Sequence, residues 1–183
     1  MSTPSPTVAP AEGRLGVLTV GLGAVASTLI AGVELAKRGL GSPIGSLAQM
    51  DTIRLGKRTD NRNPMIKDFV PLARLEDIVW GAWDPFPDDA YVAATRAGVL
   101  ESGKHLEAIS DTLREIRPMK AAFERNYVKN IDAENIMGKI SKREMLNAIR
   151  ADINKFRDEK KVDRVVMIWC ASTEIFIEPG PQH

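Results

Sequence analysis

The residues Gly21-Leu22-Gly23-Ala24-Val25-Ala26 follow the spacing G-x-G-x-x-A, which suits the holding of a pyrophosphate. Gly21 permits a tight turn, Gly23 lets the backbone approach the phosphates, and Ala26 lets a following helix pack closely on a strand. A helix opening there would turn free N–H groups and the positive end of its dipole toward the anion. The same residues also fit a glycine turn that binds nothing. Further along, Asp84 could accept hydrogen bonds from ribose hydroxyls, and before Pro85 it equally fits a turn. In Ala171-Ser172-Thr173 the two hydroxyl side chains could reach a cofactor or cap a local turn. The acidic residue usual in dinucleotide sites, roughly 20 positions past the glycines, has no counterpart between Gly41 and Ser46.

These groups need elements to place them. Leu15 to Val20 is a short β-type run that breaks at Gly21, and Ala24 to Arg38 reads as a helix. Leu29, Ile30, Val33 and Leu35 lie on or near its apolar side, and Gly39 supplies a left-handed stop. Strand, glycine turn and helix open a βαβ unit. From Leu40 to Glu76 the pattern weakens into a long excursion rich in turn formers. A second strand is predicted over Asp77-Ile78-Val79-Trp80, ending in Gly81-Ala82-Trp83-Asp84-Pro85. Helical segments follow over about Asp88–Gly98 and Lys104–Ile116, with a possible resumption over Met119–Lys129. Ser141-Lys142-Arg143-Glu144 matches a capping box, and Met145, Ile149, Ile153 and Phe156 then share one helix face. The third strand, Val165 to Cys170, is apolar without alternation, as where both faces of a parallel sheet are covered. Strands separated by helices give an α/β fold with a parallel sheet. Ligands of such sheets collect outside the carboxyl ends of the strands, so the loops at Gly21–Gly23, Asp84 and Ala171–Thr173 could converge on one cofactor.

Composition narrows the alternatives. The 183 residues bury one sizeable core, and a formal net charge of +1 gives no reason to expect nucleic acid or an anionic membrane as partner. No apolar stretch is long enough to span a bilayer. Residues 1–13 read as a flexible leader, not a signal peptide, and 14–183 as the folded domain with its excursion at 40–76. The single cysteine, Cys170, fits a reducing, cytoplasmic setting, and with only His105 and His183 beside it no Cys/His metal site is expected. His105 reads as a surface residue rather than a base, and the Lys/Arg excess from Arg114 to Arg164 as solvated helix faces. No Ser/His/Asp set and no clearly desolvated lysine presents itself.

Six blocks in order resemble the inositol-1-phosphate synthases, nearest to their bacterial branch. They are the Gly21–Ala26 loop; Gly45-Ser46-Leu47-Ala48-Gln49 with Arg54-Leu55-Gly56; Gly81-Ala82-Trp83-Asp84; Pro118-Met119-Lys120-Ala121; Ala151-Asp152-Ile153 before Phe156; and Trp169-Cys170-Ala171-Ser172-Thr173-Glu174. The resemblance implies a Rossmann-like NAD-binding domain and NAD-dependent isomerisation of D-glucose 6-phosphate to 1D-myo-inositol 3-phosphate. The reaction would run by oxidation, intramolecular aldol cyclisation and reduction, recycling the cofactor in each turnover and serving inositol and phospholipid biosynthesis. It also implies that Gly21, Leu22, Gly23, Ala24, Val25 and Ala26 hold the pyrophosphate, that Asp84 lies on the ribose side, and that Cys170, Ala171, Ser172 and Thr173 form a post-strand cofactor loop. Members of that family are much longer and assemble as homotetramers. The domain is therefore expected to be incomplete, with the catalytic and tetramerisation part beyond residue 183 and no catalytic residue on this chain. Alternatives are a nucleotide-binding fragment without turnover and a truncated Rossmann dehydrogenase.

Overall fold

The computed structural model describes residues 11–125 and 131–171. Residues 1–10 of the expected leader, Ser172 and Thr173 of the expected cofactor loop, and 126–129 of the possible helix lie outside that range.

Four parallel strands form the sheet: β1 (Leu15–Val20), β2 (Ile78–Asp84), β3 (Met119–Lys120) and β4 (Arg164–Trp169), in the spatial order β3-β2-β1-β4. This is the 3-2-1-4 order of a doubly wound dinucleotide fold, and the direction of winding reverses between β1 and β4. Leu15 to Val20 align with Ile78 to Trp83 on one side and with Arg164 to Trp169 on the other. The α/β parallel sheet expected from the sequence is present.

The 14-residue helix α1 (Ala24–Lys37) leaves the glycine turn and returns along one face of the sheet. Its buried stripe is Ala26, Ser27, Ile30, Ala31, Glu34 and Leu35. Val33 only packs partly against the core, and Leu29, expected on that side, is 40% exposed, because the small residues Ala26 and Ala31 set the contact line instead. Gly39 ends the helix at φ +68°, with its N–H donating to Ala36 and that of Leu40 to Leu35, the paired bonds of a Schellman motif. At the amino end of the sheet Glu34 is buried and accepts from Trp80 Nε1 (2.8 Å) and Lys37 Nζ (2.7 Å). Both polar groups are thereby satisfied inside the core.

The excursion contains two four-residue α-helices, α2 (Leu47–Met50) and α3 (Ile66–Phe69), tied by a bridge between Thr52 and Met65, with a 3-10 turn at Arg58–Asp60 between them. β2 continues through Gly81 to Asp84, beyond the predicted Trp80 end. Gly81 belongs in the strand because a Cβ there would stand 2.6 Å from Leu18 Cδ2 and 2.9 Å from Phe156 Cε2. A glycine within a strand here marks a close approach, not a break.

Helix α4 (Ala90–Ala97) is capped by Asp89, which accepts from Val92 N, and stops at Gly98 at φ +65°. The predicted Lys104–Ile116 helix is present in irregular form: a π-helical turn over Ser102–Leu106 and a 3-10 turn over Glu107–Ile109 run directly into α5 (Ser110–Glu115). Met119–Lys120 is a strand rather than helix, since it pairs with Trp83 and Asp84. Helix α6 (Lys142–Lys160) opens on the expected capping box. Ser141 Oγ and its backbone N–H both donate to Glu144, and these bonds hold that carboxyl below its usual range.

α1, α4 and α5 cover one face of the sheet through Val17, Leu22, Ile30, Trp80, Leu106 and Leu113, among others. α6 lies on the other face, where Leu18, Trp83, Phe156 and Val162 form a smaller cluster. β4 does not have the covered faces its composition suggested: Met167 is 57% and Trp169 72% exposed. Among the described strands β4 pairs only with β1, and Val165 at its start is the β4 residue that packs into the cluster under α6.

Candidate functional site

The ends of β1, β2 and β4 meet at Gly21. Its φ of +99° favours glycine, and a Cβ would lie 2.9 Å from Ala171 N. The turn after β1 can therefore approach the tip of β4 only without a side chain. The chain is pinned on both sides, by Gly21 N–H to Trp83 O and by Cys170 N–H to Val20 O, each 2.8 Å.

Gly23 precedes α1 and has open space where a Cβ would project. No side chain caps this helix and no acidic residue occupies its first turn. The first amides of α1 are thus left without a side-chain cap from their own helix.

Asp84 ends β2 and joins the two motifs. Its Oδ2 accepts from Leu22 N at 2.6 Å, and its Oδ1 accepts from Phe86 N at 2.9 Å. The second bond is the Asx turn open to it before Pro85; the first reaches across to the glycine turn. Each carboxylate oxygen keeps a lone pair for a further donor. Asn135 steadies the same strand end, its side-chain amide donating to Asp84 O (2.9 Å) and Met119 O (3.0 Å).

These groups line a cleft of about 400 Å³ containing Gly21, Leu22, Gly23, Ala24, Asp84, Cys170 and Ala171. Of the expected site residues, Ala26 is fully buried beneath the turn and Val25 is 67% exposed; neither lines the cleft. The Cys170 thiol is partly buried, which pushes its pKa up and keeps it protonated at neutral pH. Sequence reasoning missed Phe86, Asp88 and Arg96, which complete the far wall. Nothing in their spacing marks them, since they come together only when α4 folds back past the end of β2. His105 is half-buried rather than on the surface and does not line the cleft. Among the described residues no group of three or more His, Cys, Asp or Glu could hold a metal, and no helix is long and apolar enough to cross a membrane.

Residues 15–183 match the NAD-binding family model described as myo-inositol-1-phosphate synthase. The chain belongs to this family. It is 45% identical over 177 residues to inositol-3-phosphate synthase 1 of Bacteroides thetaiotaomicron, covering 96% of this chain and 40% of the relative. It is 29% identical to the inositol-3-phosphate synthase of Trypanosoma brucei brucei, covering 90% and 34%. The crystal structure of the Caenorhabditis elegans inositol-3-phosphate synthase superposes with a TM-score of 0.77 at 26% identity, over 93% of this chain and 37% of that one. The chain thus spans about two fifths or less of the length of these synthases. Three of the blocks that carry the family resemblance meet in space. Trp83 Nε1 donates to Asp152 Oδ2 at 2.9 Å, Phe156 fills the slot above Gly81, and Met119 pairs with Trp83.

Proposed function

We propose that this chain binds NAD across the carboxyl ends of β1, β2 and β4, as the cofactor half of an inositol-3-phosphate synthase. The observation that carries the reading is the uncapped amino end of α1 opening, through Gly23, onto the cleft that Asp84 closes. The residues fit the cofactor. The pyrophosphate has the open position at Gly23 and the first amides of α1, from Ala24 to Ala26, to accept from. The ribose has the remaining lone pairs of Asp84, and the other half of the dinucleotide runs toward Cys170 and Ala171, with Ser172 and Thr173 following.

In the whole enzyme the bound nicotinamide supplies reversible hydride transfer for converting D-glucose 6-phosphate to 1D-myo-inositol 3-phosphate. The part of this chain in that work is to bind and orient the cofactor. We place no proton-transfer group here, and assign that chemistry, with assembly as a homotetramer, to the length of the relatives outside the matched 40%. Turnover of D-glucose 6-phosphate by these 183 residues alone would overturn that division. A cytoplasmic setting accords with the single, unpaired Cys170.

Gly23→Val tests the binding reading. A Cβ there meets nothing within 4 Å, so the fold should survive, while the pyrophosphate position is filled. NADH affinity measured by fluorescence titration should fall about tenfold or more, with the melting temperature little changed. Undiminished binding would defeat the proposal.

A further inference from the structure

The lining of the cleft is charged as well as apolar. Its charged side chains, among the described residues, are Asp84, Asp88 and Arg96. Two carboxylates against one guanidinium leave it a net negative charge. Asp84 is fixed by its bonds to Leu22 and Phe86, so it cannot swing away from a ligand that it repels. Arg96, on the last turn of α4, reaches back along the helix and donates to Asp88 Oδ2 at 2.7 Å. Arginine is the side chain best shaped for a phosphate monoester, through two parallel N–H bonds. Here one edge of the guanidinium is engaged by a carboxylate, which competes with a phosphate for it.

We infer that Asp88 makes the cleft selective for the dinucleotide with a free 2′-hydroxyl, by occupying Arg96 and adding a second negative charge beside the ribose. A 2′-phosphate would have to displace Asp88 from Arg96 and still face two carboxylates. A 2′-hydroxyl needs only an acceptor, which Asp84 provides. The inference rests on the proposed placement of the ribose at Asp84. The Asp88–Arg96 pair is partly solvent-exposed, its side chains 33% and 64% accessible, so it contributes little to stability and can be altered without unfolding the protein.

The test titrates NADH and NADPH into the full chain, comparing wild type, Asp88→Asn, and Asp88→Asn combined with Arg96→Gln. Wild type should bind NADH about tenfold or more tightly than NADPH. Asp88→Asn frees Arg96 and removes one charge, so NADPH binding should tighten about tenfold relative to NADH. The gain should shrink at high salt, since exposed charges are screened. Adding Arg96→Gln should abolish it. NADH binding with no NADPH gain in Asp88→Asn, or a gain that survives Arg96→Gln, would overturn the inference and leave the NAD reading standing. Wild type that binds neither dinucleotide would overturn that reading and this inference together.

Discussion

β1 and β4 run side by side in register, and both are built largely from apolar residues, yet of the described strands one is the most buried and the other the most exposed. Leu18 of β1 is inaccessible to solvent, while its aligned neighbour Met167 on β4 is 57% exposed. The difference is one of position. β1 has a strand on either side and helices over both faces; among the described residues β4 has a strand on one side only, and Val165 at its start is the part of it packed into the α6 cluster. Similar composition therefore carries very different free energy, because burial decides it.

The largest effect should come from truncating the two aligned residues in turn. Leu18→Ala removes a fully buried side chain wedged beneath Phe156 and Gly81 and should cost about 3–5 kcal/mol by urea unfolding. Met167→Ala, one strand away, should cost about 0.5 kcal/mol or less. Equal losses would mean that β4 is covered in solution, and the contrast between the strands would fail.

The same contrast shows what could be read from the residues. β1, the glycine turn, α1 with its Gly39 stop, and the capping box at Ser141 were legible because each is set by neighbours within a few positions. The apolar run of β4 looked like a strand covered on both faces, since composition records what a strand can bury and not where it sits. β3 was illegible: two residues carry no periodicity, and only their pairing with Trp83 and Asp84 makes them a strand. Gly81 looked like the end of β2 because the ring that requires it, Phe156, is far away in sequence. At the site, the glycine spacing and Asp84 stood out, and the bond from Leu22 N–H to Asp84 did not. Asp88 and Arg96 were hidden for the same reason as Phe156, being assembled by tertiary folding.

A second effect, intermediate in size, concerns the join between the two strands. Gly21→Ala would place a Cβ against the backbone of Ala171 in a conformation L residues disfavour. The turn or the tip of β4 must shift, at a cost of about 1–3 kcal/mol. NADH affinity should fall with it, because the shift moves the Leu22–Asp84 bond and the opening of α1 together. Gly23→Val, at a position where a Cβ meets no neighbour, separates the two consequences. Binding lost without stability belongs to Gly23, and both lost together to Gly21. A Gly21→Ala protein as stable as wild type would show that β4's tip gives way freely, extending the looseness of that strand to its end.

The smallest effect tests whether the tip of β4 shares the exposure of its middle. Cys170 follows Trp169 directly, yet its thiol packs partly against the α1 side of the core, and burial raises its pKa above the ordinary 9.0. The neutral thiol is the form that the fold favours. Its contribution to stability should be fully present below pH 9.0 and lost as pH rises through the higher folded value. Reaction with iodoacetamide requires the thiolate. Alkylation of the folded chain, followed by mass spectrometry, should therefore stay slow through neutral pH and accelerate only at a higher pH than in the urea-unfolded chain. Saturating NADH should slow it further, because Cys170 and Ala171 line the cleft. Equal rates in folded and unfolded chains at neutral pH would place the tip of β4 with its exposed middle. Slow, NADH-sensitive alkylation would instead join the tip to β1, as the bond from Cys170 N–H to Val20 O implies.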